Sequence, residues 1–145
     1  MASGNTDVVR AMWASLDREP GMPWPPPPDE LNRRLRFDLC DERIEIRNLE
    51  QMPVGSRYDG HAGMRQWSIE VWEVFSEVHN QIEELIEVDD STVVSVQTTH
   101  ARMRHTELEI DLKWAVVWTL RDGKVLRTQG YLTRAEAIEA LGLDD

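Results

Sequence analysis

Apolar residues recur at helical spacing in three stretches of the chain, and each stretch predicts an amphipathic helix. The first covers residues 5–18, where Asn5 or Thr6 is positioned as the N-cap. The second covers residues 30–42, and the third covers residues 63–78. Their apolar stripes consist of Val8 or Val9, Met12 and Leu16, then Leu31, Leu35 and Leu39, and then Met64, Trp67, Val71, Val74 and Val78.

Alternation of apolar and polar residues predicts β-strands in most of the remaining chain. The predicted strands cover residues 43–49, 82–88, 91–103, 107–120 and 124–132. Asp122-Gly123 lies between the last two, and Asp-Gly in that position is a strong signal for a β-hairpin. The chain ends in a short predicted helix, in which Thr133 and Glu136 form a capping box and Gly142 marks the C-terminal end.

A proline-rich segment, residues 20–28, separates the first two helices. Pro25 to Pro28 favour an extended conformation, because proline fixes φ and removes an amide donor. The segment is either a docking peptide for a proline-reading module or a stiff loop, and its length and flanks favour the loop. Helices followed by hairpin-linked strands predict one α+β domain over residues 1–145, with the helices packed on one face of a curved antiparallel sheet.

Composition and charge exclude several classes of protein. The chain has 145 residues, of which 41% are hydrophobic, so a single domain can bury a core of its own. A net charge of −11 repels phosphate backbones and the basic residues are scattered, so no nucleic acid is expected as a partner. No apolar run approaches the roughly 20 residues that cross a bilayer, and the N-terminus lacks the apolar region of a signal peptide. Together with a single cysteine, Cys40, these features predict a cytoplasmic protein without membrane contact.

The stretch RYDGHAGMRQW, residues 57–67, is the motif that most resembles a site. A phosphate-binding loop needs a longer glycine-rich loop and usually a lysine, and both are missing here. Asp59 and His61 offer only two metal ligands, and no HxxxH or CxxC spacing supplies more, so no metal site is predicted. Gly60 and Gly63 instead predict the bend from the first strand into the third helix, with Asp59 or the turn amides at its N-cap.

Two stretches resemble a known family. YDGHAGMRQW, and VVWTLRDGKVLRTQGYLTRAEAIEALGL near the C-terminus, are similar to the turn, hairpin and tail of the SnoaL-like branch of the nuclear transport factor 2-like superfamily. The resemblance runs from Asn5 to Leu143 and is interrupted by the proline-rich segment. It implies a cone-shaped α+β barrel, often dimeric, with a pocket between sheet and helices. Members include ketosteroid isomerases, polyketide cyclases, epoxide hydrolases and dehydratases, so the resemblance leaves the activity open.

The catalytic residues of these relatives are not found at the matching positions of this chain. The resemblance aligns Ile46 with the carboxylate base of the isomerases, and neither tyrosine, Tyr58 or Tyr131, lies on the first helix, where those enzymes hold an oxyanion donor. It aligns Gly130 with the aspartate that hydrolases and cyclases hold on the last strand, and residues 98–100 with a further arginine and aspartate of the hydrolases. The known mechanisms therefore do not transfer.

The register of the last hairpin decides which side chains face the predicted pocket. A three-residue loop with a glycine bulge pairs Trp118 with Leu126 and turns Trp114 inward, whereas a two-residue loop reverses the parity. The resemblance favours the first register. The predicted pocket residues are Met12, Trp67, Thr98, His100, Trp114, Val116, Trp118 and Thr128.

His100 is the best single candidate for a catalytic residue. An imidazole in an apolar pocket is suited to act as a general base, here with Thr98 or Asp111. The alternative is that His100 is a hydrogen-bonded residue of the sheet near the rim of the pocket. This alternative is favoured because the sequence shows no clear catalytic partner for His100.

Three functions stay open. The first is a binding protein for a small apolar molecule, which the missing family carboxylates favour. The second is an enzyme of cyclase, isomerase or epoxide hydrolase type that uses His100, and the third is a dimeric scaffold whose cone is filled by side chains. A homodimer is expected because Ala115, Val117 and Val125 form a predicted apolar outer face. No cofactor motif is visible, and no cofactor is predicted.

Overall fold

Four α-helices and six β-strands are formed by residues 2–18, 26–52 and 54–143, which this computed structural model describes. Residues 19–25, the main part of the predicted proline-rich loop, lie outside the described residues. The elements in chain order are α1 (Ala2–Ser15), α2 (Pro28–Arg34), a 3-10 turn (Phe37–Leu39), β1 (Cys40–Arg47), β2 (Arg57–Asp59), α3 (Gly60–Val74), β3 (Phe75–Asp89), β4 (Thr92–Met103), β5 (Glu109–Arg121), β6 (Lys124–Tyr131) and α4 (Arg134–Ala140).

The strands form one curved, unclosed sheet in the order β2-β1-β6-β5-β4-β3. Neighbouring strands are antiparallel except β1 and β6, which are parallel. The expected curved antiparallel sheet is therefore found with one exception, the parallel pair of β1 and β6. Tight hairpins force antiparallel pairing only on strands that follow each other directly, and β1 and β6 are separated by most of the chain.

Helices cover both faces of the sheet. α1, α2 and α3 pack on the inner face, where the main core includes Met12, Trp13 and Met64. On the outer face, Ala137 and Ile138 of α4 cover a patch of small apolar side chains, which consists of Val94, Val96, Ala115 and Val117. The expectation that the helices lie on one face is wrong for α4. The apolar patch on the outer face is also more stable when it is shielded from water, and α4 shields it.

The β5–β6 hairpin turns through the two residues Asp122 and Gly123, whose φ angles are 55° and 75°. The expected three-residue loop is therefore wrong, and Trp118 pairs with Thr128 rather than with Leu126. The expected parity is nevertheless found, because Leu126 is an extra residue in a bulge and shifts the register by one. The indoles of β5 consequently face inward.

The first two helices differ from their predicted bounds. α1 already begins at Ala2, so the predicted caps Asn5 and Thr6 lie inside it, and Asn5 Nδ2 donates to the carbonyl oxygen of Asp90 at 2.7 Å. α2 ends at Arg34 because Arg36 takes a left-handed conformation with φ of 56°. Leu39 therefore lies in the 3-10 turn and not on a continuous helix.

α3 ends at Val74, so Val78, the last residue of the predicted stripe, belongs to β3. The end of the helix is bound by Arg104, whose guanidinium donates to the carbonyl oxygen of Trp72 at 2.7 and 3.0 Å and to that of Phe75 at 3.1 Å. A cation that hydrogen-bonds the last carbonyls stabilises a helix C-terminus.

We expect Arg104→Ala to lower the free energy of unfolding by about 1 kcal/mol, because these carbonyls lose charged donors. Urea unfolding followed by circular dichroism measures the difference. Arg102→Ala is the matched control, since Arg102 is itself exposed and pairs with Glu109 and Glu77 at the surface, so its loss should cost at most about 0.5 kcal/mol. Equal losses in the two variants would contradict a capping role for Arg104.

The cap of α4 shows one of the two hydrogen bonds of the predicted capping box, together with the predicted glycine at the C-terminal end. The hydroxyl of Thr133 accepts from the backbone N–H of Glu136 at 3.1 Å, and Gly142 has a positive φ of 72° after the helix. The amide of Leu143 donates to the carbonyl oxygen of Ile138 at 3.2 Å, which closes the last turn.

The outer-face residues that motivate a homodimer have neighbours within this chain. Val125 is fully buried in the main inner core, so its assignment to the outer face is wrong, because the bulge changes its parity. Ala115 and Val117 are covered by α4. The homodimer stays a prediction, and a strictly monomeric mass in light scattering at micromolar concentration would contradict it.

Candidate functional site

A cavity of about 250 Å³ lies between the inner face of the sheet and helices α1 and α3. Apolar side chains form most of its wall, and Leu49, Met52 and Val54 of the β1–β2 loop contribute to it. The polar side chains of the wall are Arg18, Asn48, Gln51, Ser68, Asn80, Thr99 and Thr128. A concave, mostly apolar space with a few polar groups is the usual form of a small-molecule site.

Three tryptophans form a cluster at the wall. The ring of Trp13 meets those of Trp114 and Trp118 edge to face, with centroid distances of 5.7 and 5.6 Å. Trp13 and Trp118 both donate their indole N–H to the hydroxyl of Ser95, at 3.1 and 2.9 Å, and Trp114 donates to that of Thr99 at 2.8 Å. Hydroxyl groups on the inner face of β4 therefore hold the three indoles in place.

The hydroxyl of Thr99 begins a hydrogen-bonded chain that leads to the end of α1. It donates to Asn80 Oδ1 at 2.7 Å. The side-chain and backbone N–H groups of Asn80 both donate to Asp17 Oδ1, at 3.1 and 2.9 Å. The carboxylate of Asp17 is thus held by β3.

Arg18 is the only ionisable side chain of the cavity wall among the described residues, and the sequence analysis missed it. It is 5% exposed, its Nη1 donates to the carbonyl oxygens of Ser15 and Asp17 at 3.0 Å each, and its guanidinium lies 4.9 Å from the ring centre of Trp72. Burial and then the charge of Arg34 lower the pKa of Arg18 to about 10, against a smaller opposing effect of Asp17. The first predicted helix includes Arg18 but not on its apolar stripe, so no sequence signal pointed to this residue, and α1 in fact ends at Ser15.

The glycine motif forms the predicted bend into α3, but the bend follows β2, which the sequence analysis did not predict, and not the first strand. Gly60 has a φ of 70° at the start of α3, and Gly63 packs so closely on Tyr58 that a Cβ atom would lie 3.1 Å from the carbonyl carbon of Tyr58. Asp59 occupies the N-cap position, but its side chain makes no capping hydrogen bond. Neither Asp59 nor His61 belongs to the cavity wall.

The two positions aligned with family carboxylates lie on the inner face. Ile46 is part of the cavity wall. At Gly130, a Cβ atom would lie 3.0 Å from Cζ3 of Trp114 and 3.4 Å from the backbone nitrogen of Leu49. The indole of Trp114 therefore occupies the space that a side chain at position 130 would need.

Most of the predicted pocket residues lie in the cavity wall, and two do not. The six in the wall are Met12, Trp67, Trp114, Val116, Trp118 and Thr128. Their contact with a ligand stays a prediction. Thr98 and His100 lie on the outer face of β4, so their assignment to the pocket is wrong. Side chains alternate along a strand, and on β4 it is Thr99 and Ala101 that face the cavity.

His100 belongs to a polar surface on the outer face. Its Nδ1 lies 2.5 Å from Asp111 Oδ1 on the neighbouring strand, and the side chains are 45% and 72% exposed. The hydroxyl of Thr98 donates to Glu83, whose carboxylate also contacts Lys113 at 3.4 Å. His100 is thus a hydrogen-bonded surface residue and does not face the cavity.

Cys40 is buried beside two methionines, with its Sγ 3.8 Å from Met12 Sδ and 3.6 Å from Met64 Sδ. Burial, with a smaller contribution from Asp38, raises the pKa of the thiol to about 12. The thiol is therefore protonated at neutral pH and poorly nucleophilic.

We expect Cys40 of the native protein to resist a thiol reagent such as DTNB at pH 8, because the thiolate is the reacting form. Labelling in 6 M guanidinium should be faster by at least about a hundredfold, since unfolding removes the burial that raises the pKa. Equal rates in the native and unfolded protein would show that the thiol is accessible and contradict this account.

Two further features are not found among the described residues. No helix in the described ranges has both the length and the apolar character needed to cross a membrane. No group of three or more His, Cys, Asp or Glu side chains in those ranges is arranged to hold a metal ion.

The sequence of the chain matches the model of a known protein family. The model of the SnoaL-like domain matches residues 36–128, which is more than half of the chain. The chain belongs to the SnoaL-like family. No curated protein matches this SnoaL-like chain in a sequence search.

Solved structures share the fold of this SnoaL-like protein. TerC, co-crystallized with polyporic acid, is 20% identical with a TM-score of 0.70, over 96% of this chain and 98% of TerC. An NTF2-like protein of unknown function from Burkholderia pseudomallei K96243 is 16% identical with a TM-score of 0.71, over 94% and 95% of the two chains. A candidate SnoaL-like polyketide cyclase from Jannaschia sp. CCS1 is 13% identical with a TM-score of 0.68, over 99% and 94%. At these identities the similarity shows the fold alone.

Proposed function

We propose that this SnoaL-like protein binds a small, mainly apolar molecule in the cavity between the sheet and helices α1 and α3. The observation that carries the proposal is the cavity itself, with a volume of about 250 Å³ and a mostly apolar wall. A scaffold with a filled cone would leave no such space. The flat rings of Trp67, Trp114 and Trp118 in the wall favour an aromatic or polycyclic ligand.

Binding is favoured over proton-transfer catalysis by the composition of the wall. Among its described residues, Arg18 is the only ionisable one, and a guanidinium stays protonated at neutral pH and is unsuited to be a general base. Ile46 and Gly130 supply no carboxylate. A role as a binding or accessory protein therefore agrees best with the chemistry of the cavity.

The class of ligand to test first follows from the same features. TerC shares the fold and was co-crystallized with polyporic acid, which supports a small organic molecule as the ligand of this chain as well. Steroids, terpene epoxides, polyketide-like aromatics and fatty acids form a suitable panel, because each has an apolar body that matches the wall.

A thermal-shift screen of this panel, with tryptophan fluorescence as the second readout, tests the proposal. A ligand that binds only the folded protein raises the melting temperature, by roughly 5 to 10 °C when present at a hundred times its Kd. A hit should also change the fluorescence, since the cavity wall holds indoles. A panel without any hit would contradict the proposal and favour the scaffold.

We expect His100→Ala to leave the affinity for any ligand found in this screen unchanged within about twofold, because His100 lies on the opposite face from the cavity. Isothermal titration of the variant and the parent protein gives the comparison. A tenfold weaker affinity in the variant would instead place the ligand on the outer face.

A further inference from the structure

The buried guanidinium of Arg18 is the feature of the cavity that an apolar ligand leaves unexplained. A buried cation is usually paired with an anion, because burial disfavours an uncompensated charge. Among the described residues, no carboxylate lies within ion-pair distance of Arg18. The neighbouring carboxylate of Asp17 binds Asn80 instead.

The contacts of Arg18 within the protein account for only part of its hydrogen-bonding capacity. Nη1 donates to the two carbonyl oxygens at the end of α1, which favours a cation there. The ring of Trp72 lies against one face of the guanidinium. Nε, however, is buried and has no hydrogen-bond partner among the described residues, although the fork of an arginine is suited to bind a carboxylate with two donors.

A second guanidinium adds to the positive potential at this place. Arg34 acts on Arg18 as a nearby like charge, and its Nη1 is also buried without a partner among the described residues. Its Nη2 binds Glu30 at 2.7 Å, so Arg34 has a direct ion pair, whereas Arg18 has only the weaker effect of the Asp17 charge nearby. In a chain of net charge −11, these two neighbouring guanidiniums, of which Arg18 lies in the cavity wall, form a local positive region that favours an anion.

We infer that the ligand is an amphipathic organic acid, whose anionic group binds Arg18 while its apolar body fills the cavity between the tryptophans. This inference rests on the proposed function. The acid supplies the charge partner that the described residues lack. The cavity volume of about 250 Å³ admits a body of about two fused aromatic rings with its carboxylate.

Titration of 2-naphthoate and of 2-naphthamide into the same protein tests this inference. The two probes have the same aromatic body and differ in the charge of one group. At 0.15 M salt, where exposed charges are screened, we expect the parent protein to bind 2-naphthoate about ten- to a hundredfold more tightly than 2-naphthamide. Equal affinities for the two probes would overturn the inference and leave the proposed function intact, whereas failure of both probes to bind would contradict both.

Two variants identify Arg18 as the source of the preference. Arg18→Met should bind both probes equally, with its affinity for 2-naphthamide changed by less than about threefold, because only the charge partner is removed. Arg18→Lys keeps the charge without the fork and should retain part of the preference. A preference for 2-naphthoate that persists fully in Arg18→Met would overturn the inference. Even if Arg18→Met does not fold, the ratio of the two affinities in the parent protein tests whether the site prefers an anion.

Discussion

Gly130→Asp should lower the free energy of unfolding by about 3 to 5 kcal/mol, which is much of the stability of a typical domain. The substitution introduces the carboxylate that hydrolases and cyclases of this family hold at the aligned position. In this protein the space for that side chain is already filled. A Cβ atom at position 130 would lie 3.0 Å from the ring of Trp114, and overpacking of this kind costs about 1 to 3 kcal/mol. Gly130 is buried, so a carboxylate without a partner there adds a further cost.

Urea unfolding of three variants separates these causes. Gly130→Ala introduces the steric conflict without the charge and should cost about 1 to 2 kcal/mol. The double variant Gly130→Asp with Trp114→Ala removes the conflicting ring, so its loss should be smaller than the sum of the two single losses. A Gly130→Asp protein as stable as its parent would show that Trp114 moves freely and that the family site can be rebuilt.

Ser95→Ala should lower the free energy of unfolding by about 3 kcal/mol, although it removes only one oxygen atom. The hydroxyl accepts the indole N–H groups of Trp13 and Trp118 and donates to Gln97 Oε1 at 2.8 Å, and Ser95 is 0% exposed. The variant therefore leaves several buried polar groups without partners, at about 1 to 3 kcal/mol for each group that stays unsatisfied.

A serine in an exposed position is the control that shows whether the burial of Ser95 causes the loss of stability. Ser76 donates to the carbonyl oxygen of Arg102 at 3.4 Å in an exposed position, so Ser76→Ala should cost less than about 0.5 kcal/mol. Near-ultraviolet circular dichroism should also change in Ser95→Ala, because the indoles lose their fixed orientation. Losses of similar size in both variants would mean that the shared hydroxyl does not hold the tryptophan cluster.

The order and type of most elements follow from local patterns, whereas the pairing of distant strands does not. The Asp122-Gly123 hairpin, the capping box at Thr133 and the glycine bend at Gly60 are each determined by residues within a few positions. The parallel pairing of β1 with β6, and the position of α4 on the outer face, depend on contacts between segments far apart in the sequence. Local propensity carries no signal for such contacts.

The error at His100 has a specific cause on β4. Its valines Val94 and Val96 are apolar but face α4, while the polar residues Ser95 and Thr99 face the interior because they accept hydrogen bonds from indoles. The family resemblance aligned residues 98–100 with catalytic residues and so placed Thr98 and His100 in the pocket, and hydrophobic alternation on β4 suggests the same reversed parity. On β5 the register that the family resemblance favours has the same parity as the observed one, so the pocket residues predicted there lie on the inner face.

The most direct test of the central claim compares two adjacent residues of β4 that face opposite ways. Ala101→Phe fills part of the cavity, and His100→Phe adds a phenylalanine on the outer face. Isothermal titration with the tightest ligand of the panel should give an affinity at least tenfold weaker for Ala101→Phe and unchanged for His100→Phe. An unchanged affinity in Ala101→Phe, or a loss confined to His100→Phe, would contradict a ligand site in the cavity.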